Sequence, residues 1–182
     1  MLLTILVVLV IAIAALLAFA STRPDHFEVQ RSATIAAPAE RIFPYLDDFH
    51  RWIEWSPWEK LDPELKRTFS GAERGTGAVY AWEGNKKVGQ GRMEIVESDA
   101  PRRLRIKLDF IKPFEAHNTT VFALAPAGGG TRVDWTMLAI NTFPGKVMSV
   151  FMNMDRMIGR DFERGLANLK AVAEAEPAPQ PA

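Results

Sequence analysis

The stretch Arg103-Leu-Arg-Ile-Lys-Leu-Asp-Phe110 alternates charge and hydrocarbon at every step. In an extended chain Leu104, Ile106, Leu108 and Phe110 share one face, and Arg103, Arg105, Lys107 and Asp109 share the other, because successive β side chains point to opposite sides. One dry and one wet face is what an antiparallel sheet needs when it covers a core on one side only. Working outward, residues 131–140 repeat the pattern, with Val133, Trp135 and Met137 opposed by Arg132, Asp134 and Thr136. The glycine turn Ala127-Gly-Gly-Gly130 joins that strand to residues 119–125 as a hairpin. Strands are also expected at residues 26–35, 65–70, 78–83 and 92–97, with Gly84-Asn-Lys-Lys87 turning between the last two, which makes about seven strands in all.

Helical signals are fewer. Pro38 opens a short helix in Ala37-Pro-Ala-Glu-Arg-Ile-Phe43 that runs through Tyr45, since a proline in the first turn loses no needed hydrogen bond. A second short helix is expected over residues 47–52. A long one is expected to begin near Gly145, with Val147, Phe151, Met154, Ile158, Phe162, Leu166, Leu169 and Ala173 spaced by threes and fours in a single stripe. Its other face carries Lys146, Asp155, Arg156, Arg160, Glu163, Arg164 and Lys170. A curved antiparallel sheet wrapped on this amphipathic helix buries the strand faces and the stripe together, an α+β fold.

The ends differ from this middle. Residues 2–20 carry no charge, and Thr4 is their one polar side chain. As a helix the run is roughly 28 Å long, enough to cross a hydrocarbon core of about 30 Å. Two readings stay open: a transmembrane anchor that remains attached, or a signal segment cleaved after Ala18-Phe-Ala20. The lack of any Lys or Arg ahead of the run, and its length, favour the anchor. Arg23 and Arg31, on its C-terminal side, are too few to fix orientation, so the side of the membrane stays open. Residues 174–182 form a Pro/Ala tail expected to be disordered. The chain therefore divides into an anchor or signal segment (1–22), one folded domain (26–173) and the tail (174–182).

Composition narrows the function classes. Lys+Arg and Asp+Glu are both 22 in 182 residues, so no net field favours nucleic acid. There is no cysteine, which removes disulfides, thiolate metal sites and cysteine nucleophiles. His26, His50 and His117 are too scattered for a metal site, and neither a metal nor a cofactor is expected. Nucleophile-elbow and phosphate-loop motifs are absent.

Three of the five tryptophans stand at Trp52, Trp55 and Trp58, inside Trp52-Ile-Glu-Trp-Ser-Pro-Trp58. Rings packed so densely either plug a core or wall an apolar pocket, because each removes about 150–250 Å² from water. Together with the element order, Arg31-Ser-Ala-Thr-Ile-Ala-Ala-Pro-Ala-Glu-Arg-Ile-Phe43, Gly128-Gly-Gly-Thr-Arg-Val-Asp-Trp135 and Asp161-Phe-Glu-Arg-Gly-Leu-Ala-Asn-Leu-Lys170, this run resembles the START-like (SRPBCC) helix-grip superfamily, in its polyketide cyclase/dehydrase branch. The resemblance implies a Bet v 1-like sheet gripping the C-terminal helix, with an elongated apolar cavity between them. Inward candidates for that cavity are Trp55, Trp58, Tyr80, Trp82, Leu108, Phe110, Phe122, Trp135, Met137, Phe151, Met154 and Ile158. Met148, Met152 and Met157 add adaptable thioethers nearby.

Acid–base candidates are sparse. Glu115 and His117 at i and i+2 share a strand face, so a carboxylate-oriented imidazole is geometrically feasible, but a solvated strand start is the favoured reading of the pair, because polar pairs beside turns are commonly on the surface. Tyr80, Asn118 and Asp134 are further polar candidates, and Ser56 reads as a turn former. The residues favour binding over catalysis: a lipid or other hydrophobic small molecule held beside a membrane. A polyketide cyclase/dehydrase-like enzyme and a partner-binding regulatory module with a filled core are the alternatives.

Overall fold

Residues 26–35, 66–71, 78–83, 90–99, 103–112, 116–127 and 130–140 form the seven strands of the computed structural model, which describes residues 1–175. Strand β1 (His26–Ile35) is followed by two one-turn helices, α2 (Ala39–Ile42) and α3 (Pro44–Asp47). A single 3₁₀ turn (Phe49–Arg51) and α4 (Trp52–Trp55) complete the first crossing. Then come β2 (Lys66–Gly71), β3 (Ala78–Glu83), β4 (Gln90–Asp99), β5 (Arg103–Lys112), β6 (Ala116–Ala127) and β7 (Gly130–Ile140). All pairings are antiparallel, in the order β1-β7-β6-β5-β4-β3-β2, so the meander from β2 to β7 closes by placing β7 against β1. Register shifts beside Gly91 and between Ile95 and Glu97 interrupt the β4–β5 ladder, and such bulges bend a sheet.

Burial follows the predicted alternation. Leu104 and Ile106 are fully buried, while Leu108 and Phe110 further along β5 are only half-buried, so the strand passes from packed core into open space. On β7, Val133, Trp135, Met137 and Ala139 are buried and Arg132 is exposed. The β6–β7 hairpin turns on Gly128 and Gly129, at φ 53° and 85°. Both values lie in the left-handed region that L side chains avoid, and two-residue hairpins need it at both central positions.

The C-terminal helical segment departs from expectation. It is two helices, α5 (Phe143–Phe151) and α6 (Met154–Ala175), with Met152 extended between them. Asn153 makes the break: its side-chain Oδ1 accepts from the Arg156 backbone N–H at 2.9 Å, the N-cap bond that starts α6. The long gripped helix is therefore α6. Its buried face is Gly159, Phe162, Gly165, Leu166, Leu169 and Ala173. The helix runs on through Glu174, whose carboxylate accepts from Lys170 and from the Ala36 N–H. The expected tail otherwise falls, from residue 176, outside the described residues.

Helix α6 is held on the sheet by Arg31 of β1. Its guanidinium reaches Asp155 (3.0 Å) and Glu163 (2.8 Å) on either side of Gly159, and a β-carbon at 159 would stand only 2.0 Å from it. At the other end, the Asn168 amide donates to the Trp55 carbonyl at 3.0 Å, tying α6 to α4. The apolar N-terminal run is α1 (Leu2–Ser21), long and apolar enough to cross a membrane. It contributes nothing to the main core, and α5 lies beside it.

Candidate ligand-binding site

The tryptophan run does both jobs that its density allowed. Trp52 and Trp55 are buried, and each indole N–H donates to a backbone carbonyl, Leu46 at 3.0 Å and Tyr45 at 2.8 Å. Trp55 then packs edge-on against Phe122 and Trp135. Pro57 and Ser56 turn the chain so that Trp58, half-buried, stands at right angles to Trp135 (5.8 Å) and Phe162 (6.3 Å). Trp135 stacks flat on Phe162 at 4.0 Å. These rings wall off a cavity of about 830 Å³ between the sheet and the C-terminal helices, within the roughly 300–1,000 Å³ usual for a small-molecule site.

Nine of the twelve inward candidates line it: Trp58, Tyr80, Trp82, Leu108, Phe110, Trp135, Met137, Met154 and Ile158. Three do not. Trp55 and Phe122 are fully buried in the packed aromatic cluster behind the wall, and Phe151 is 72% exposed on the outside of α5. Phe151 belongs to α5, a helix with no buried residue, and the break before α6 ends the single stripe on which its inward reading rested. Of the methionines beside the helix, Met148 and Met157 also line the cavity. The lining grades from buried at Trp135 and Phe162 to exposed at Phe114, Met148 and Met157, so the mouth lies at that end.

Of the polar part of the site, Tyr80 and Asn118 were among the polar candidates, whereas Glu59 and its partner Arg67 were not anticipated. Glu59, the residue after Trp58, is 7% exposed and lines the cavity. The Tyr80 hydroxyl donates to its Oε1 at 2.6 Å and Arg67 Nε to its Oε2 at 2.6 Å. Burial, and then the bond to Glu59, pushes the Tyr80 phenol far above its ordinary range and keeps it a proton donor. The bond to Glu59 likewise raises Arg67. Each carboxylate oxygen thus holds one partner and keeps lone-pair capacity for another donor. Across the cavity Asn118 is 9% exposed and its amide has no hydrogen-bond partner among the described residues. A Trp-Glu pair beside two turns carries no motif; only the fold shows that Glu59 points inward.

Glu115 and His117 do not enter. His117 Nδ1 lies 2.7 Å from Asp109 and Nε2 3.4 Å from Glu115, all on the outer face of the sheet. The Asp109 bond raises the His117 pKa, but the ring is well exposed. Glu115 touches only the rim of the mouth, with its side chain 78% exposed. Asp134 is likewise outward, paired with Arg132. Ser56, buried at the end of α4, reaches the lining as well as forming the turn. Among the described residues no His, Asp or Glu cluster could hold a metal ion.

A sheet gripping one long helix, with short helices inserted after its first strand, accords with a family match. The description "polyketide cyclase / dehydrase and lipid transport" fits residues 26–174. The chain belongs to that family. No curated protein sequence matches it significantly. Among solved structures it is similar to a protein from Chromobacterium violaceum, with 16% identity and TM-score 0.59 over 85% of this chain and 100% of that one. Ara h 8.0201 shows 13% identity and TM-score 0.59, over 83% of this chain and 99% of that one. The di-domain ARO/CYC protein BexL shows 16% identity and TM-score 0.62, over 88% of this chain and 54% of that one. At these identities the likenesses speak for the fold alone, which is the helix-grip, Bet v 1-like fold.

Proposed function

We propose that this family member is a membrane-anchored binding protein for a lipid or another hydrophobic small molecule. The observation that carries the reading is the cavity itself: about 830 Å³ of space, walled mostly by aromatic, aliphatic and thioether side chains, with the Glu59 carboxylate and the Asn118 amide among a few polar groups on the lining. An apolar wall supplies affinity through desolvation, and a few fixed polar groups orient the guest. The ligand that fits is elongated, mostly hydrocarbon, and carries a hydroxyl or amine to donate to Glu59. Helix α1, read as a retained anchor, keeps the cavity beside a reservoir of such molecules.

One observation favours a second reading, a cyclase/dehydrase-like enzyme. Glu59 and Tyr80 are a carboxylate and a protonated phenol bonded to one another at the cavity wall, which is the minimum set for moving a proton on a bound substrate. Both carboxylate oxygens are engaged, however, one by the Tyr80 hydroxyl and one by Arg67, so binding is the better use of this geometry.

Native mass spectrometry with organic extraction of residues 23–182 tests the function. This segment keeps every residue of the main core and of the cavity lining, and loses only the helix beside α5. A stoichiometric apolar molecule is expected. A ligand-free protein that also fails to bind an apolar fluorophore would turn the reading toward a partner-binding module.

A further inference from the structure

The mouth of the cavity is ringed by hydrocarbon that the fold leaves uncovered. Phe114, in the β5–β6 loop, lines the opening and is 71% exposed. The end of β7, α5 and α6 bring exposed Ile140, Met148 and Met157 to the same lining. Single exposed apolar residues need no explanation, but a contiguous ring of them around an opening marks a contact surface.

The chain just after α1 is fastened to this rim. The Asn141 backbone N–H donates to the Asp25 carbonyl at 2.7 Å, and its side chain donates to the Pro24 carbonyl at 3.1 Å. Lys146, on α5, pairs with the Asp25 carboxylate. Asn141 itself lines the cavity. Residues 22–25 alone separate α1 from β1, a reach of at most about 14 Å. A membrane crossed by α1 therefore ends within that distance of the mouth, whatever the protein concentration.

We propose that the apolar rim formed by Phe114, Ile140, Met148 and Met157 seats on the surface of the bilayer that α1 crosses, so that the cavity opens into lipid and not into water. The inference rests on α1 being a retained anchor. A bilayer is preferred to a second copy of the chain because α1 delivers it to the rim. Apolar side chains at the level of the headgroups bury the rim against hydrocarbon, as interfacial surfaces do.

The absence of cysteine makes the test direct, because any introduced cysteine is unique. The full chain is reconstituted in phosphatidylcholine vesicles, with one environment-sensitive probe per variant at Phe114→Cys, Met157→Cys, Val10→Cys or Arg102→Cys. Arg102 lies at the opposite end of β5 from Phe114, about 33 Å away by strand rise. Spin-labelled lipid is expected to quench the probes at 114 and 157 several-fold more than the probe at 102. Quenching at position 10, with 114 and 157 no more affected than 102, would overturn the seating and leave the anchor standing. No quenching at position 10 would remove the anchor, and the seating with it. Efficient cross-linking between protomers through Met157→Cys, without lipid quenching there, would show that a second copy covers the rim and would also overturn it.

Discussion

Phe110 and Phe122 have the same side chain on neighbouring strands and different duties. Phe122 is fully buried against Trp52, Trp55 and Trp135, whereas Phe110 is half-buried, meets Trp82 edge-on at 5.8 Å and lines the cavity. Phe122→Ala should cost the roughly 3–5 kcal/mol of a packed aromatic. Phe110→Ala should cost clearly less and reduce the amount of co-purifying ligand; denaturant titration and extraction of the same preparations measure both. Tyr80 supplies a second prediction. Burial and Glu59 raise its pKa above the ordinary 10.0, so the stability it lends is complete below about pH 10 and is lost as pH rises from there toward the folded value. Tyr80→Phe should flatten that alkaline loss, read by thermal melts across pH 8–11, while lowering stability at neutral pH by about 1–3 kcal/mol through the unsatisfied Glu59 oxygen. The sequence makes the aromatic lining legible because ring size and strand parity are local properties. Glu59 is not legible, because its inward direction depends on how the Pro57 turn meets β3, and Tyr80 and Arg67 reach it from 21 and 8 residues away.

Among the elements, the β1–α6 clamp shows where helix propensity gives way to tertiary packing. Alanine is favoured over glycine inside a helix by about 1 kcal/mol, so Gly159→Ala would stabilise an unconstrained helix. Here the new methyl group would meet the Arg31 guanidinium and push it from Asp155 and Glu163. Gly159→Ala is therefore expected to destabilise the protein, and to become neutral or stabilising when Arg31→Ala is already present. A four-member thermodynamic cycle in urea reads the reversal of sign directly. The strands were readable almost to their ends because alternation persists along each. The α5–α6 break was not, since apolar spacing continues through it. The signal that could have found it is Asn153 followed by Asp155, a cap with an acid in the first turn, set within an apolar stripe.

At the scale of the whole molecule, the cavity ties stability to occupancy. A fold that leaves about 830 Å³ between its two layers forgoes the contacts that a filled core would make, and a bound guest restores them. Four of the five tryptophans, Trp52, Trp58, Trp82 and Trp135, stand on the lining, so occupancy should be visible in intrinsic fluorescence without any label. Organic extraction followed by refolding is expected to shift the emission to the red and lower the melting temperature. Returning the extract at about 100 times its dissociation constant should restore about 2.7 kcal/mol, roughly 5–11 °C for a domain of this length. Trp58→Phe should shrink the fluorescence response more than Trp55→Phe, because Trp58 borders the cavity and Trp55 sits behind it. A partner-binding module with a filled interior would show no emission change and no return of stability, since neither its tryptophans nor its packing would depend on a guest.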